Sequence, residues 1–336
     1  MHLSKQLWGH YEGHDIFLFK LDNGRMQVAL TNFGAIITGI YTPDKLGNTN
    51  NVVLGYDNLD DYISDEFYAG CIIGRFAGRI SNASFSINGS TYPLAQNDGD
   101  KNIHLHGGDK GFGKKPFSIT VEHVDSEKAS VELYYKSKHL EEGYPGNLDV
   151  WVTYQLDMDN KFSIKYRVKT DHDTHINLTN HSYFNLAGTT QSALNNMLTI
   201  DADGYLVTNG SHIPTGEISS VTNTPYDFKT PRKINSNNSG IGHNECYVLN
   251  KAKGRHSAVL RDVSSGRSLI LNTDMPALLF YSGDYLDKPF IKNNGICLET
   301  QYFPDSPNHP DFPSTLLRVG EQWESFTSFT FCCDDN

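Results

Sequence analysis

Val152-Thr-Tyr-Gln-Leu-Asp-Met-Asp-Asn-Lys-Phe-Ser-Ile-Lys-Tyr-Arg-Val168 reads as two strands and the turn that joins them. Val152, Tyr154 and Leu156 alternate with polar residues into 157–160, and Phe162, Ile164, Tyr166 and Val168 alternate back. A period of two places one set of side chains on one face, which is the pattern of a half-buried antiparallel hairpin. The signature recurs on both sides. Phe85 and Ile87 run into the turn dipeptide Asn88-Gly89 and return through Tyr92 and Leu94. Val259 and Arg261 run into Ser264-Ser265-Gly266 and return through Leu269 and Leu271. Hairpins at this spacing predict an all-β chain with few short helices, a large antiparallel β-sandwich or a barrel. The best helix candidate is 59–68, with Asp60, Asp61, Asp65 and Glu66 on its polar side.

The 336 residues contain no internal repeat, no low-complexity stretch and no linker rich enough to mark a boundary, so a single domain over 1–336 is expected. Formal net charge is −11, and the 28 basic residues are scattered. That is not the concentrated positive footprint nucleic acid requires. No stretch approaches the ~20 apolar residues of a membrane span, and the first residues lack the apolar region of a signal peptide. Five cysteines without framework spacing predict reduced thiols in the cytoplasm. Cys246 and Cys297 read as small core hydrophobes, and Cys332-Cys333 carries no assignable motif. Nothing in the sequence sets an oligomeric state.

Four segments carry candidate chemistry. In Gly295-Ile-Cys-Leu-Glu-Thr-Gln-Tyr-Phe-Pro-Asp-Ser-Pro-Asn308, an apolar strand-like stretch delivers Glu299 to a Pro-rich loop. A carboxylate at its ordinary pKa of about 4.3 is ionised at neutral pH and can accept a proton. In Ile176-Asn-Leu-Thr-Asn-His-Ser-Tyr-Phe-Asn-Leu-Ala-Gly188, His181 is flanked by Asn180, Ser182, Tyr183 and Asn185, which can orient an imidazole or bind a polar ligand. His104-Leu-His106-Gly-Gly108 offers either two metal ligands or a substrate-facing imidazole beside a glycine turn. Gly74-Arg-Phe-Ala-Gly-Arg-Ile80 places two arginines four apart, able to hold hydroxyls as well as anions.

Together these stretches, with EGYPG at 142–146, CYVL at 246–249 and FYSGDYL at 280–286, resemble the aldose 1-epimerase (galactose mutarotase) family. NHSYFNL and LETQYFPDSPN are the specific part of that resemblance. It implies the galactose mutarotase-like supersandwich, a small aldose as partner, and a reaction without metal or cofactor. Glu299 would be the base that takes the anomeric O1 proton, and His181 the acid that protonates the ring oxygen. Arg79, His106 and Tyr183 match positions that contact sugar hydroxyls. Asn244, in Gly242-His-Asn-Glu-Cys-Tyr-Val-Leu249, stands where the resemblance implies an Asp, and Leu279 where some relatives carry Gln. Asn keeps the shape and loses the charge. Three other readings remain open from the residues: a hexose-6-phosphate epimerase using Arg75 and Arg79, a non-catalytic carbohydrate-binding protein, and a metallohydrolase using His104, His106 and His181.

Overall fold

The structure, a computed structural model, describes residues 1–99, 102–235, 242–250 and 254–334. The quoted hairpin is Leu148–Asp157 paired with Lys161–Thr170. Its register sets Val152 against Tyr166, Tyr154 against Ile164 and Leu156 against Phe162, so each core-facing residue meets another. The Tyr154 and Phe162 rings stack, their centroids 5.9 Å apart. The pair sits within a nine-stranded sheet whose pairings are all antiparallel. At Asn88-Gly89 both residues have positive φ (51° and 81°), the type I′ geometry that this dipeptide favours.

The helix is shorter than its sequence pattern, Leu59–Ser64, with Asn58 accepting the Asp61 N–H as N-cap. Asp65 ends it. Its carboxylate takes the N–H groups of Phe67 (2.9 Å) and Ala69 (2.8 Å), and the Tyr56 hydroxyl (2.7 Å), pulling the chain into a turn. Polar residues read as a solvated helix face thus include the residue that stops the helix.

A six-stranded antiparallel sheet positions the site. Three adjacent strands matter: Asn244–Leu249, Ala277–Tyr281 and Ile296–Gln301. One face of these strands, Tyr247, Leu278, Phe280, Ile296 and Leu298 among others, joins the core shared with Val150, Tyr154 and Leu269 of the nine-stranded sheet. Each such side chain contributes roughly 1.5–3 kcal/mol on burial. Alternation turns the intervening residues the other way.

Candidate active site

Those intervening residues form a pocket floor. Leu279 lies across the ladder from both Cys246 and Glu299, and Tyr281 lies across from both Asn244 and Cys297. Cys297 in turn faces Tyr183. Glu299, His181, Arg79, His106, Tyr183 and Asn244 all line this one pocket. Glu66, Phe67, Tyr68, His212 and Tyr285 line it too, from loops or loop edges, and of these only Tyr285 falls within a stretch that carries the resemblance.

Glu299 and His181 form the centre. His181 Nε2 lies 3.7 Å from Glu299 Oε1, and both side chains are buried. Glu299 Oε2 has no hydrogen-bond partner among the described residues. His181 sits between the short strands Thr179–Asn180 and Tyr183–Phe184. Its backbone is pinned on both sides, its N–H to the Cys71 carbonyl (2.9 Å) and its carbonyl to the Gly70 N–H (3.0 Å). The polar neighbours are spent on the surrounding scaffold. Asn180 donates to the Gly70 carbonyl, Ser182 to Asn180, and Asn185 to the carbonyls of Gln191 and Asn294. Among the flanking groups named from sequence, Tyr183 alone lines the pocket, with its hydroxyl donating to the Phe67 carbonyl.

The two histidines of the His104–His106 pair part ways. His104 is fully buried, with Nδ1 on the Ala95 carbonyl (2.9 Å) and Nε2 on the Tyr144 hydroxyl (2.8 Å). Its ring is fully committed to the scaffold, which removes it from the metallohydrolase set. His106 enters the pocket from a left-handed backbone (φ 52°), and Tyr68, in ring contact with it, is left-handed too (φ 58°). Such conformations in residues with a Cβ are held only by their surroundings and concentrate at functional sites. Gly107 makes the following turn possible: a Cβ there would lie 1.9 Å from the Gly74 carbonyl oxygen.

The two arginines part ways as well. Arg75 is buried and donates to Ser137 Oγ and to the carbonyls of Ser137, Lys138, Tyr144 and Pro145. It braces the scaffold. Arg79 faces the pocket, held by Asp98 at 2.8 Å.

Burial decides the protonation of the centre. It pushes the Glu299 carboxyl up to about 8, with Arg79 pulling the other way, so the carboxyl is not the ordinary ionised group its sequence context implies. Burial lowers His181 to about 4, opposed weakly by its own backbone carbonyl. His106 is held well below its ordinary value, first by burial and then by the charges of His181 and Arg79. Near neutrality the Glu299–His181 pair therefore holds one proton, resting on the carboxyl.

His106, His181 and Glu299 place their potential ligand atoms within 4.8 Å of one another, the composition of a metal triad. The hydrogen bonding of His106 does not suit that use. Its Nδ1 accepts the Gly78 N–H (3.3 Å), so the neutral ring carries its hydrogen on Nε2, a donor rather than a ligand.

Comparison with known proteins agrees with the fold. The aldose 1-epimerase family model matches residues 18–330. Galactose mutarotase of Bos taurus is 38% identical over 327 residues, covering 93% of each chain. Galactose mutarotase of Homo sapiens is 37% identical over 95% of each, and aldose 1-epimerase of Escherichia coli K12 is 33% identical over 93% of this chain and 94% of its own. Among solved structures, an aldose epimerase homologue from C. elegans superposes with a TM-score of 0.89 at 27% identity, over 95% of this chain and 99% of its own. Galactose 1-epimerase from Lactobacillus acidophilus gives 0.89 at 25% identity over 99% of both. The family match and these relatives define an isomerase. The chain belongs to the aldose 1-epimerase family, and its reaction is the interconversion of aldose anomers.

Proposed function

We propose that this chain interconverts the α and β anomers of free hexoses, galactose and glucose among them, with Glu299 as base and His181 as acid. The observation that carries the assignment is the desolvated carboxyl–imidazole pair, 3.7 Å apart at the pocket floor, with one carboxyl oxygen unbonded. Ring opening moves the O1 proton to Glu299 and a proton from His181 Nε2 to the ring oxygen as its bond to C1 breaks. The pair then stands as protonated Glu299 and neutral His181. Rotation about C1–C2 and the reverse transfers close the ring on the other face. The total stays at one proton throughout, so a site closed to bulk water need not exchange any with solvent.

The resting arrangement, with the proton on Glu299, is the one complementary to the open-chain aldehyde. A cyclic sugar is engaged by passing that proton across the 3.7 Å gap to His181. The His106 Nε2–H, the Arg79 guanidinium and the Asn244 amide are suited to the sugar hydroxyls, and Tyr183 packs beside His181 with ring centroids 5.0 Å apart.

Free sugar is favoured over a phosphorylated one. Arg79 is the one arginine or lysine lining the pocket among the described residues, it is already paired with Asp98, and Glu66 lines the same pocket. A non-catalytic binding module has no use for a buried acid–base pair, which costs stability to maintain. One domain is supported by the core continuous from Phe19 to Phe331. A cytoplasmic setting is supported by five free cysteines, and no helix among the described residues is long and apolar enough to cross a membrane. Polarimetry on freshly dissolved α-galactose and α-glucose tests the assignment. Accelerated decay that is lost in Glu299→Gln is expected; decay no faster than buffer on either sugar would overturn it.

A further inference from the structure

Cys297, a small hydrophobe by its sequence context, occupies a chemical position. It lies two residues before Glu299 on the same face of the strand, and its Sγ is 3.5 Å from His181 Nδ1. Both side chains are buried, Cys297 completely. Burial first, and then the neighbouring Glu299, keep its proton on sulfur. The two ring nitrogens of His181 thus face different groups: Nδ1 the sulfur, Nε2 the carboxyl of Glu299.

A neutral imidazole carries one hydrogen, and the reaction decides where it is needed. When His181 gives its Nε2 proton to the sugar's ring oxygen, the ring left behind must hold its hydrogen on Nδ1. Nε2 must then be bare to take the proton back. His106 has the opposite arrangement, because the Gly78 N–H occupies its Nδ1 and leaves a fixed donor at Nε2. Two imidazoles in one pocket are therefore set to different tasks by what stands behind them. Behind His181 stand two acceptors, the residue's own backbone carbonyl, which also takes the Gly70 N–H, and the Cys297 sulfur at Nδ1.

We propose that Cys297 is a positioning residue: its sulfur accepts the Nδ1–H of His181 and so leaves Nε2, the nitrogen turned to Glu299, to exchange protons with the sugar. The role rests on the acid–base function given above. Sulfur is a weak acceptor, so the bond biases the ring toward one tautomer rather than locking it. That bias is retained when the ring is doubly protonated, since Nδ1 then still donates to sulfur. Valine fills nearly the same space and offers no acceptor, whereas serine keeps an acceptor.

Two-bond 1H–15N correlation spectra of the 15N-histidine-labelled protein at pH 7 read the tautomer directly, with His181→Gln identifying the resonances. The expected result is a hydrogen on Nδ1 of His181 in the unaltered protein and in Cys297→Ser, moving to Nε2 in Cys297→Val. In parallel, the valine variant is expected to lose kcat by roughly three- to tenfold with KM little changed, and serine to restore most of it. A hydrogen on Nε2 of His181 in an active unaltered protein would overturn the proposal, as would a valine variant that keeps both the Nδ1 hydrogen and full kcat. Should the valine variant not fold, the unaltered spectrum and the serine variant decide. A protein that mutarotates no aldose would overturn the underlying function and this role together. That outcome is separable, because the spectrum needs no turnover.

Discussion

Nε2 of His181 stands 3.7 Å from Oε1 of Glu299, with the two side chains almost closed to water. The gap is longer than a hydrogen bond yet short enough that one group feels the charge of the other.

The pair should titrate as a unit. With Glu299 pushed up to about 8 and His181 lowered to about 4, the singly protonated form dominates between those values. We expect kcat/KM for galactose to be level from about pH 5 to 7 and to fall about tenfold per unit once pH passes about 8, as the proton leaves Glu299. Polarimetry across pH 5 to 10 measures this, and a profile with no fall on the alkaline side would contradict it.

Glu299→Gln should lower kcat by roughly 10²- to 10⁴-fold. It should also raise Tm, and more so in alkali. Between the ordinary carboxyl pKa and about 8 the folded protein keeps a proton that the unfolded chain has released, so stability falls as pH rises through that window, by at most about 1.4 kcal/mol per unit. Glutamine does not titrate. Thermal melts of both proteins at pH 5 and pH 9 should therefore diverge at the higher pH.

Arg79→Met should raise KM, since the guanidinium faces the pocket and Asp98 holds it there. It should also move the alkaline limb of the pH profile upward, because Arg79 is the charge that draws the Glu299 pKa down. A downward or absent shift would mean that the guanidinium acts elsewhere.

Asn244→Asp should hold or lower KM for aldoses. The amide lines the pocket opposite Tyr281, and an ionised side chain is the stronger acceptor for a sugar hydroxyl. The adjacent Glu245 carboxylate is engaged with the Asn244 backbone N–H at 2.9 Å and does not line the pocket. A higher KM in the variant would refute the expectation.

Arg75→Met should cost roughly 3 kcal/mol or more of stability, leaving several buried carbonyls without their donor, while KM for free hexose changes little. Denaturant melts and initial rates separate the two effects. A large KM change with unchanged stability would return Arg75 to the site.

The alternation of Val152 through Val168 and the Asn88-Gly89 turn were legible because their signals are local, and each strand matched its partner in the expected sense. The helix overran because no periodicity distinguishes a solvated Asp from one that folds back on two N–H groups, as Asp65 does. The gathering of Glu299, His181, Arg79, His106, Tyr183 and Asn244 into one pocket was expected from the resemblance, since these residues lie as far as 220 positions apart. Their protonation was not, because it follows from burial. Strand alternation also held the clue to Cys297, two residues before Glu299 and so on its side of the sheet. His212 belongs to the pocket through loop geometry that no pattern encodes.

Asn244, Cys246, Leu279, Tyr281 and Glu299 reach the pocket from alternate positions of three neighbouring strands. Loss of a single codon within Ile296–Gln301 would exchange inward and outward residues beyond the break, presenting Leu298 or Thr300 where Glu299 belongs. The loops at 66–68, 209–213 and 282–295 carry no such penalty. Changes of length are thereby channelled to the rim, while the pocket floor is guarded by the reading frame of a β-sheet.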